Sequence, residues 1–454
     1  MTRICMVGTG YVGLVSGACM ADFGHEVTCV DVLEERIEGL QHGVIPFHEP
    51  GLDQLVRKNV ADRRLFFTSS LAEGMRNADV VFIAVQTPMA ETGEADLTYV
   101  MQVGAEVGRL LDGYKVIVTK STVPVGTARK LQRVIRENLT RDVTFDMASN
   151  PEFLREGSSI EDFMRPDRVV IGLESERAEK AMRDIYRPLF LLDTPIVVAD
   201  IETAETIKYA CNSYLAVKIS FINEIAALAE AVGANVSTIA KAMGLDRRIG
   251  RKFLHAGLGF GGSCLPKDTS ALVHIAREAG SRVSLVEAAM AVNAGLPDRA
   301  LAKARALVGG FEGRTVALLG VAFKPNTDDI RSAASLRIAR LLLEGGAEIR
   351  VHDPVAMPNF REVFPDIEYS DSPYQACEGA DLAILVTEWN QYRQLDFHHL
   401  GRIMKGRSFL DCRNVYSQEY VSEFGFAYDS FGRPPRQVPG GERPTPTWPQ
   451  EEPA

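Results

Sequence analysis

The start of the chain constrains it most: the apolar run RICMVG at residues 3–8 passes into GTGYVGLVSGACMADFG and then into HEVTCVDV. This reads as a buried strand, a glycine turn, an apolar helix and a second strand. Gly8, Gly10 and Gly13 take the G-x-G-x-x-G spacing, with Tyr11 and Val12 between the last two, and Asp31 closes the second strand. In such a unit Gly8 permits the tight turn, Gly10 lets the backbone approach a pyrophosphate, and Gly13 lets helix and strand pack closely. The helix N-terminus then faces the phosphates. A carboxylate at Asp31 can accept hydrogen bonds from an adenosine ribose and would repel an added 2′-phosphate, which favours NAD over NADP. Arg36 borders the adenine, is a solvated helix charge, or accommodates such a phosphate, and its position leaves these open. The alternative for the whole unit is a tight turn with no ligand.

Further strand-like runs at 78–85 (ADVVFIAV), 115–119 (KVIVT) and 168–171 (RVVI) alternate with segments of helical length. That alternation predicts a doubly wound, mostly parallel sheet. From Ile201 the chain runs to Gly233 without proline or glycine, which predicts a long helix, and the segment to about Leu296 reads as mainly helical. RTVALLGVAFKPNTDD, SLRIARLLLEGGAEIRVHDP and ADLAILVTEW then repeat the strand–turn–helix–strand pattern. After Gly320 the second and third glycines are missing, so dinucleotide binding is not expected there. Lys324, at the end of its strand, is placed for a ligand in a crevice, or is a solvated charge.

The expected architecture is α/β: two Rossmann-like doubly wound domains joined by a long central helix. The boundaries read as 1–200, 201–300 and 301–430, followed by a disordered proline-rich tail at 431–454. At 454 residues the chain is too long for one core, and 46% apolar with 24% charged residues excludes wholesale disorder. A net charge of −10 argues against wrapping a nucleic-acid duplex. The seven cysteines form no CxxC pair and no zinc spacing, so neither disulfides nor a metal are expected. No leader pattern and no run of about 20 apolar residues is present, which makes the cytoplasm the expected compartment and a membrane role unexpected.

Phe260-Gly261-Gly262-Ser263-Cys264-Leu265-Pro266-Lys267-Asp268 places Cys264 just before a helix with proline in its first turn. There the helix dipole and Lys267 favour the thiolate, the nucleophilic form. Packing gives no reason for Gly-Gly-Ser before a buried cysteine, so the glycines read as opening access to it; the other six cysteines read as core. Asp268 shares the helix face and can relay protons. On the long helix Lys208 and Asn212 project from one face, and position alone makes Lys208 a surface lysine. Asn150-Pro151-Glu152-Phe153-Leu154-Arg155-Glu156-Gly157 sets two carboxylates behind an Asn-Pro turn, suited to acid/base work or to capping.

Taken together, GTGYVG, STVPVGT, SNPEFLREG, the Lys208/Asn212 helix, RIGRKFLHAGLGFGGSCLPKD and FKPNTDDIR resemble the UDP-glucose/GDP-mannose dehydrogenase family over about residues 1–430, and look most like its bacterial UDP-glucose branch. The resemblance implies two successive hydride transfers to NAD, oxidising C6 of the hexose in UDP-glucose to the carboxylate of UDP-glucuronate through a Cys264 thiohemiacetal and thioester. It implies Cys264 as nucleophile, Lys208 and Asn212 as oxyanion stabilisers, Asp268 as assistant to the lysine and water, and Thr122 and Glu156 near the reacting centre. On the cofactor side it implies Val12, Asp31, Arg36, Thr87, Thr122, Glu156, Lys267 and Arg331. For the substrate it implies Glu152, Phe153, Leu154, Arg155 and Glu156, then Phe253, Leu254, His255, Ala256 and Gly257, then Gly261 and Lys324. Arg248 matches a residue that reaches the neighbouring subunit's substrate, which implies a homodimer built on the long helix. It also reverses the surface reading of Lys208. Asn414 follows Arg413 where some members carry a second arginine. The alternatives are oxidation of GDP-mannose or of a UDP-N-acetylhexosamine, and, outside catalysis, an NAD-binding regulatory protein.

Overall fold

The structure, a computed structural model, describes residues 1–90 and 93–434. The tail expected at 431–454 therefore lies, from residue 435 onward, outside the described residues. The chain divides into two compact units, Met1–Ser213 with Lys267–Val283, and Tyr214–Pro266 with the chain from Ser284 onward.

The first unit is built on eight strands: β1 (Arg3–Val7), β2 (Glu26–Val30), β3 (Leu65–Thr68), β4 (Val80–Ile83), β5 (Lys115–Thr119), β6 (Phe145–Ser149), β7 (Val169–Leu173) and β8 (Ile196–Ala199). Their order is β3-β2-β1-β4-β5-β6-β7-β8, and only the β6–β7 pairing is antiparallel. The first six strands have the dinucleotide-binding order, which reverses direction between β1 and β4. Helices cover both faces, which is why the strand sequences are apolar runs rather than alternating ones. Along β4, Val80 and Phe82 enter one core cluster while Val81 and Ile83 enter the other. The glycine turn after β1 is sterically obligatory. A Cβ on Gly8 (φ +102°) would lie 2.6 Å from the Ala84 carbonyl oxygen, and one on Gly13 would lie 1.9 Å from that of Gly8.

The second unit repeats the plan with β9 (Thr315–Leu319), β10 (Glu348–His352), β11 (Glu368–Tyr369), β12 (Leu382–Leu385), β13 (Ser408–Asp411) and β14 (Ala427–Ser430), all parallel, in the order β11-β10-β9-β12-β13-β14. Gly320 (φ +84°) abuts Thr387 much as Gly8 abuts Ala84. Asp353 follows β10 as Asp31 follows β2, but it is fully buried. Its Oδ2 accepts from Val321 N, Ala322 N and Trp389 Nε1 at 2.7, 3.1 and 3.0 Å, and its Oδ1 from Val355 N and Ala356 N at 3.0 and 2.8 Å. With five donors from its own unit, this carboxylate has no capacity left to read a ribose.

The predicted long helix spans Ile201–Val232 and carries residues of both units along the chain. Helices Val236–Leu245, Leu265–Glu278 and Ser284–Val308 follow it. No described helix is long and apolar enough to cross a membrane.

Candidate active site

The glycine turn leaves room beside the first helix. Around the position a Gly10 Cβ would take, no heavy atom beyond Gly10 and its two chain neighbours lies within 4 Å. The helix Tyr11–Asp22 begins at the next residue, so its first N–H groups border that space. Asp31 turns back onto the turn: Oδ2 accepts from the Thr9 N–H and hydroxyl at 2.9 and 2.7 Å, and Oδ1 from Leu33 N at 3.2 Å. The Arg36 guanidinium stands 3.4 Å away. Burial pushes the Asp31 carboxyl up, but these donors outweigh it and hold the group below its ordinary value. A dinucleotide fits such a cradle of open backbone, helix start and ionised carboxylate closing the second strand. Val12 packs on the core beneath, and the Thr87 hydroxyl donates to the Thr122 carbonyl at 3.0 Å.

The long helix places Glu205, Lys208 and Asn212 on one face, and all three are buried. Lys208 is 3% exposed, so the surface position that spacing alone suggested is wrong: its neighbours on that face are covered by the first unit. Its ammonium donates to Glu152 Oε1 at 3.1 Å, while Glu152 Oε2 accepts from Leu154 N at 2.5 Å. Phe153 receives Arg168 on its ring face at 3.5 Å. Arg155 is exposed and pairs with Asp162, and Glu156 is half-buried. Asn212 Nδ2 donates to Asp268 Oδ2 at 2.6 Å, and Lys267 donates to Asp268 Oδ1 at 2.7 Å. Asp268, 1% exposed, is thus held between an amide and an ammonium.

Three further groups of this unit lie outside the sequence motifs. Lys120, fully buried, donates to Asn150 Oδ1 at 3.0 Å beside the Tyr186 hydroxyl, which donates to the same oxygen at 2.5 Å. Burial pushes the lysine down to about 8; Glu152 opposes that shift and Lys208 adds to it. Glu205 accepts from Gly126 N and Ala128 N at 2.6 and 3.0 Å, tying the loop that carries Thr122 to the long helix. Burial raises its carboxyl to about 7 against those two N–H groups. Glu49 binds the Tyr11 hydroxyl at 2.5 Å. The signal for Lys120 was weak: a cation ending an apolar strand run.

In the second unit Cys264 is half-buried, its Sγ lies 3.5 Å from the Ser263 hydroxyl, and the helix Leu265–Glu278 begins at the next residue, as the proline implied. Of the other cysteines five are buried, whereas Cys211 is half-buried with Arg168 at 3.6 Å. Packing does explain the glycine pair, contrary to the expectation. A Cβ on Gly261 would lie 2.4 Å from the Ser332 carbonyl oxygen, and one on Gly262 would lie 2.6 Å from the Phe323 ring. The FKPNTDDIR segment is stacked against them, with Gly262 N donating to the Arg331 carbonyl at 2.8 Å.

Three asparagines frame the preceding segment. Gly257 N donates to Asn223 Oδ1 at 2.9 Å, Phe260 exchanges two hydrogen bonds with Asn293, and Asn414 Nδ2 donates to the Ala256 carbonyl at 3.4 Å. Asn414 also bonds both backbone groups of Phe431, so here it serves as a chain tie. Leu254 and Ala256 are buried, His255 is exposed, and Phe253 has φ +65°. Lys324 is half-buried against the Phe323 ring, Arg331 pairs with Asp329, and Arg248, 90% exposed, pairs with Asp246. Among the described residues no group of three His, Cys, Asp or Glu side chains could hold a metal ion.

Strand order, glycine turn and ionised Asp31 define a dinucleotide-binding α/β protein. Models of the UDP-glucose/GDP-mannose dehydrogenase family match the chain in three stretches: the NAD binding domain over 2–190, the central domain over 202–295 and the UDP binding domain over 317–418. The chain belongs to that family, as its motifs suggested. It is 50% identical over 437 residues to a UDP-glucose 6-dehydrogenase of Rhizobium meliloti, covering 95% of this chain and all of that one. It is 46% identical to one of Bacillus subtilis, covering 96% and 94%. Among solved structures, a UDP-glucose dehydrogenase from the hyperthermophilic archaeon Pyrobaculum islandicum superimposes with a TM-score of 0.87 at 41% identity, covering 91% and 95%.

Proposed function

We propose that the chain catalyses the NAD-dependent, four-electron oxidation of UDP-glucose at C6 to UDP-glucuronate. The observation that carries this is its likeness, over nearly the whole length, to proteins named UDP-glucose 6-dehydrogenase. NAD, when bound, supplies the hydride acceptor. The residues that would hold it are the Gly8–Gly13 turn, Asp31, Arg36, Thr87, Thr122, Glu156, Lys267 and Arg331.

Loss of one hydride and one proton turns the C6 alcohol into an aldehyde. The Cys264 thiolate adds to that carbon, and the oxygen that gains charge is met by the Lys208 ammonium and the Asn212 amide. The thiohemiacetal then loses its hydroxyl proton and a second hydride, leaving a thioester. Water, with Asp268 taking its proton, cleaves the thioester to the acid and frees the thiolate. Burial of Lys208 and Asn212 supports this division of labour, since charge stabilisation is strongest where water is excluded. Glu152 to Glu156, Phe253 to Gly257, Gly261 and Lys324 are proposed to hold the nucleotide sugar, within an organisation of 1–200, 201–300 and 301–430.

A homodimer is part of this reading. On the long helix Tyr214, Phe221 and Leu228 recur at seven-residue spacing and are 62, 44 and 57% exposed, an apolar stripe of the kind a second copy covers. Arg248 would then reach the partner's substrate. None of the seven cysteines is in a disulfide, which suits the reducing cytoplasm.

The test is stoichiometric. Purified enzyme given UDP-glucose and excess NAD should form two NADH per sugar, whereas one NADH with free aldehyde would refute the covalent route. GDP-mannose and a UDP-N-acetylhexosamine, run alongside, should give lower specificity constants. Asp31 also carries a prediction: NAD should be preferred over NADP, and Asp31→Ser should narrow the ratio of their specificity constants by about tenfold or more. An unchanged ratio would assign cofactor choice to another group.

A further inference from the structure

We propose that Glu49 is a positioning residue of the dehydrogenase, fixing the Glu156 segment against the dinucleotide turn through Tyr11, so that cofactor binding and the placing of Glu156 are coupled. The inference rests on the oxidation proposed above.

Glu49 lies in the His48-Glu49-Pro50-Gly51 turn between helices Glu34–Gln41 and Leu52–Ala61, and it is 6% exposed. Among the described residues no Lys, Arg or His comes within ion-pair distance of it. Its carboxylate is satisfied by three donors from two other places in the chain. Oε2 accepts from the Tyr11 hydroxyl at 2.5 Å and from Gly157 N at 2.6 Å, and Oε1 accepts from Ser159 N at 2.8 Å. A buried carboxylate so bonded is costly to disturb, because each donor it releases is itself buried or half-buried.

The two ends of this link are not ordinary packing sites. Tyr11 is the residue after Gly10 and the first of the helix that starts at the turn, so its backbone borders the open space beside Gly10. Its hydroxyl also reaches the Arg155 carbonyl at 3.4 Å, and its ring tilts against Phe47 with centroids 5.1 Å apart. Burial, and then the Glu49 carboxylate, raise the phenol well above its ordinary value, so Tyr11 keeps its proton and donates. At the other end Gly157 (φ +79°) directly follows Glu156, and its N–H is the group that Glu49 holds. Fixing that peptide fixes the backbone that carries Glu156. What Glu49 contributes passes through Tyr11 and Gly157.

The experiment is a double-mutant cycle with Tyr11→Phe and Glu49→Gln, read in two ways: NADH affinity by fluorescence titration without sugar, and steady-state oxidation of UDP-glucose. Tyr11→Phe should weaken NADH binding on the order of tenfold, and Glu49→Gln should lower kcat on the order of a hundredfold. The double variant should be no worse than Glu49→Gln alone, because the short bond to the carboxylate, not the 3.4 Å contact with the Arg155 carbonyl, is the main link the tyrosine hydroxyl makes. Multiplying effects, or variants that lose thermal stability while keeping wild-type NADH affinity and kcat, would overturn the proposal. If Glu49→Gln does not fold, Tyr11→Phe decides: unchanged NADH affinity and kcat refute the coupling. Wild-type protein that binds NADH but does not oxidise UDP-glucose would refute the proposed function instead, and the affinity arm still reports on the link between Tyr11 and Glu49.

Discussion

Replacing Cys264 by alanine is expected to lower UDP-glucuronate formation by about four orders of magnitude or more while NADH affinity stays within about twofold of wild type. The thiol is the only proposed group that can hold the aldehyde covalently for a second hydride loss, and no other side chain of the proposed set is a comparable nucleophile at neutral pH. The groups proposed to hold the cofactor, from the Gly8–Gly13 backbone and Asp31 to Lys267 and Arg331, do not include the thiol, so binding has no reason to change. Stopped-flow counting of NADH together with product analysis reads both quantities. Near-normal acid formation by the alanine variant would mean that another residue is the nucleophile.

The fold was legible because both sheets are covered on two faces, so each central strand is a short apolar run, and the turns after β1 and β9 are marked by Gly8 and Gly320. Gly8 and Gly13 are forced by contacts of 2.6 and 1.9 Å that no side chain could share, and this necessity is what makes the motif visible. The second unit shows the limit. Its turn keeps only Gly320, and the two missing glycines are what make it read as unsuited to a dinucleotide; the buried Asp353, bonded to backbone of its own unit, adds a reason that the sequence displays as an ordinary aspartate.

The site divides in the same way. Cys264 was readable because glycines and a helix-starting proline surround it, although the glycines turned out to be required by Phe323 and Ser332 rather than by access alone. Lys208 was not readable from spacing. A helical lysine is buried or exposed according to what packs on that face, and the carboxylate that makes burial tolerable, Glu152, comes from 56 residues earlier. Glu49, Lys120 and Asn223 escaped for the same reason: each bonds to backbone or side chains remote in sequence, and no local pattern encodes such a partner.

The Lys208–Glu152 pair yields the second large effect, because it separates catalysis from stability. With the lysine and glutamate side chains 3 and 5% exposed, Lys208→Met strands a buried carboxylate and should cost about 3 kcal/mol of stability. It should also lower kcat by about 10²–10³-fold through loss of the proposed oxyanion donor. Adding Glu152→Gln removes the stranded charge, so the double variant should recover most of the stability and none of the activity. Recovery of activity in the double variant would show that Lys208 acts only by neutralising Glu152.

Lys120 supplies an internal check through pH. Its folded pKa, about 8, lies below the 10.5 of the free side chain, so between those values the unfolded chain binds more protons and stability rises with pH. Below pH 8 the full cost of the buried charge is present. Lys208 lowers the Lys120 pKa and Glu152 raises it, so Lys208→Met should move the start of that rise to higher pH, and adding Glu152→Gln should move it back. Thermal midpoints measured from pH 7 to 10.5 would show it. An identical pH profile in all three proteins would mean that Lys120 does not sense the pair, and that the two buried lysines are electrostatically independent.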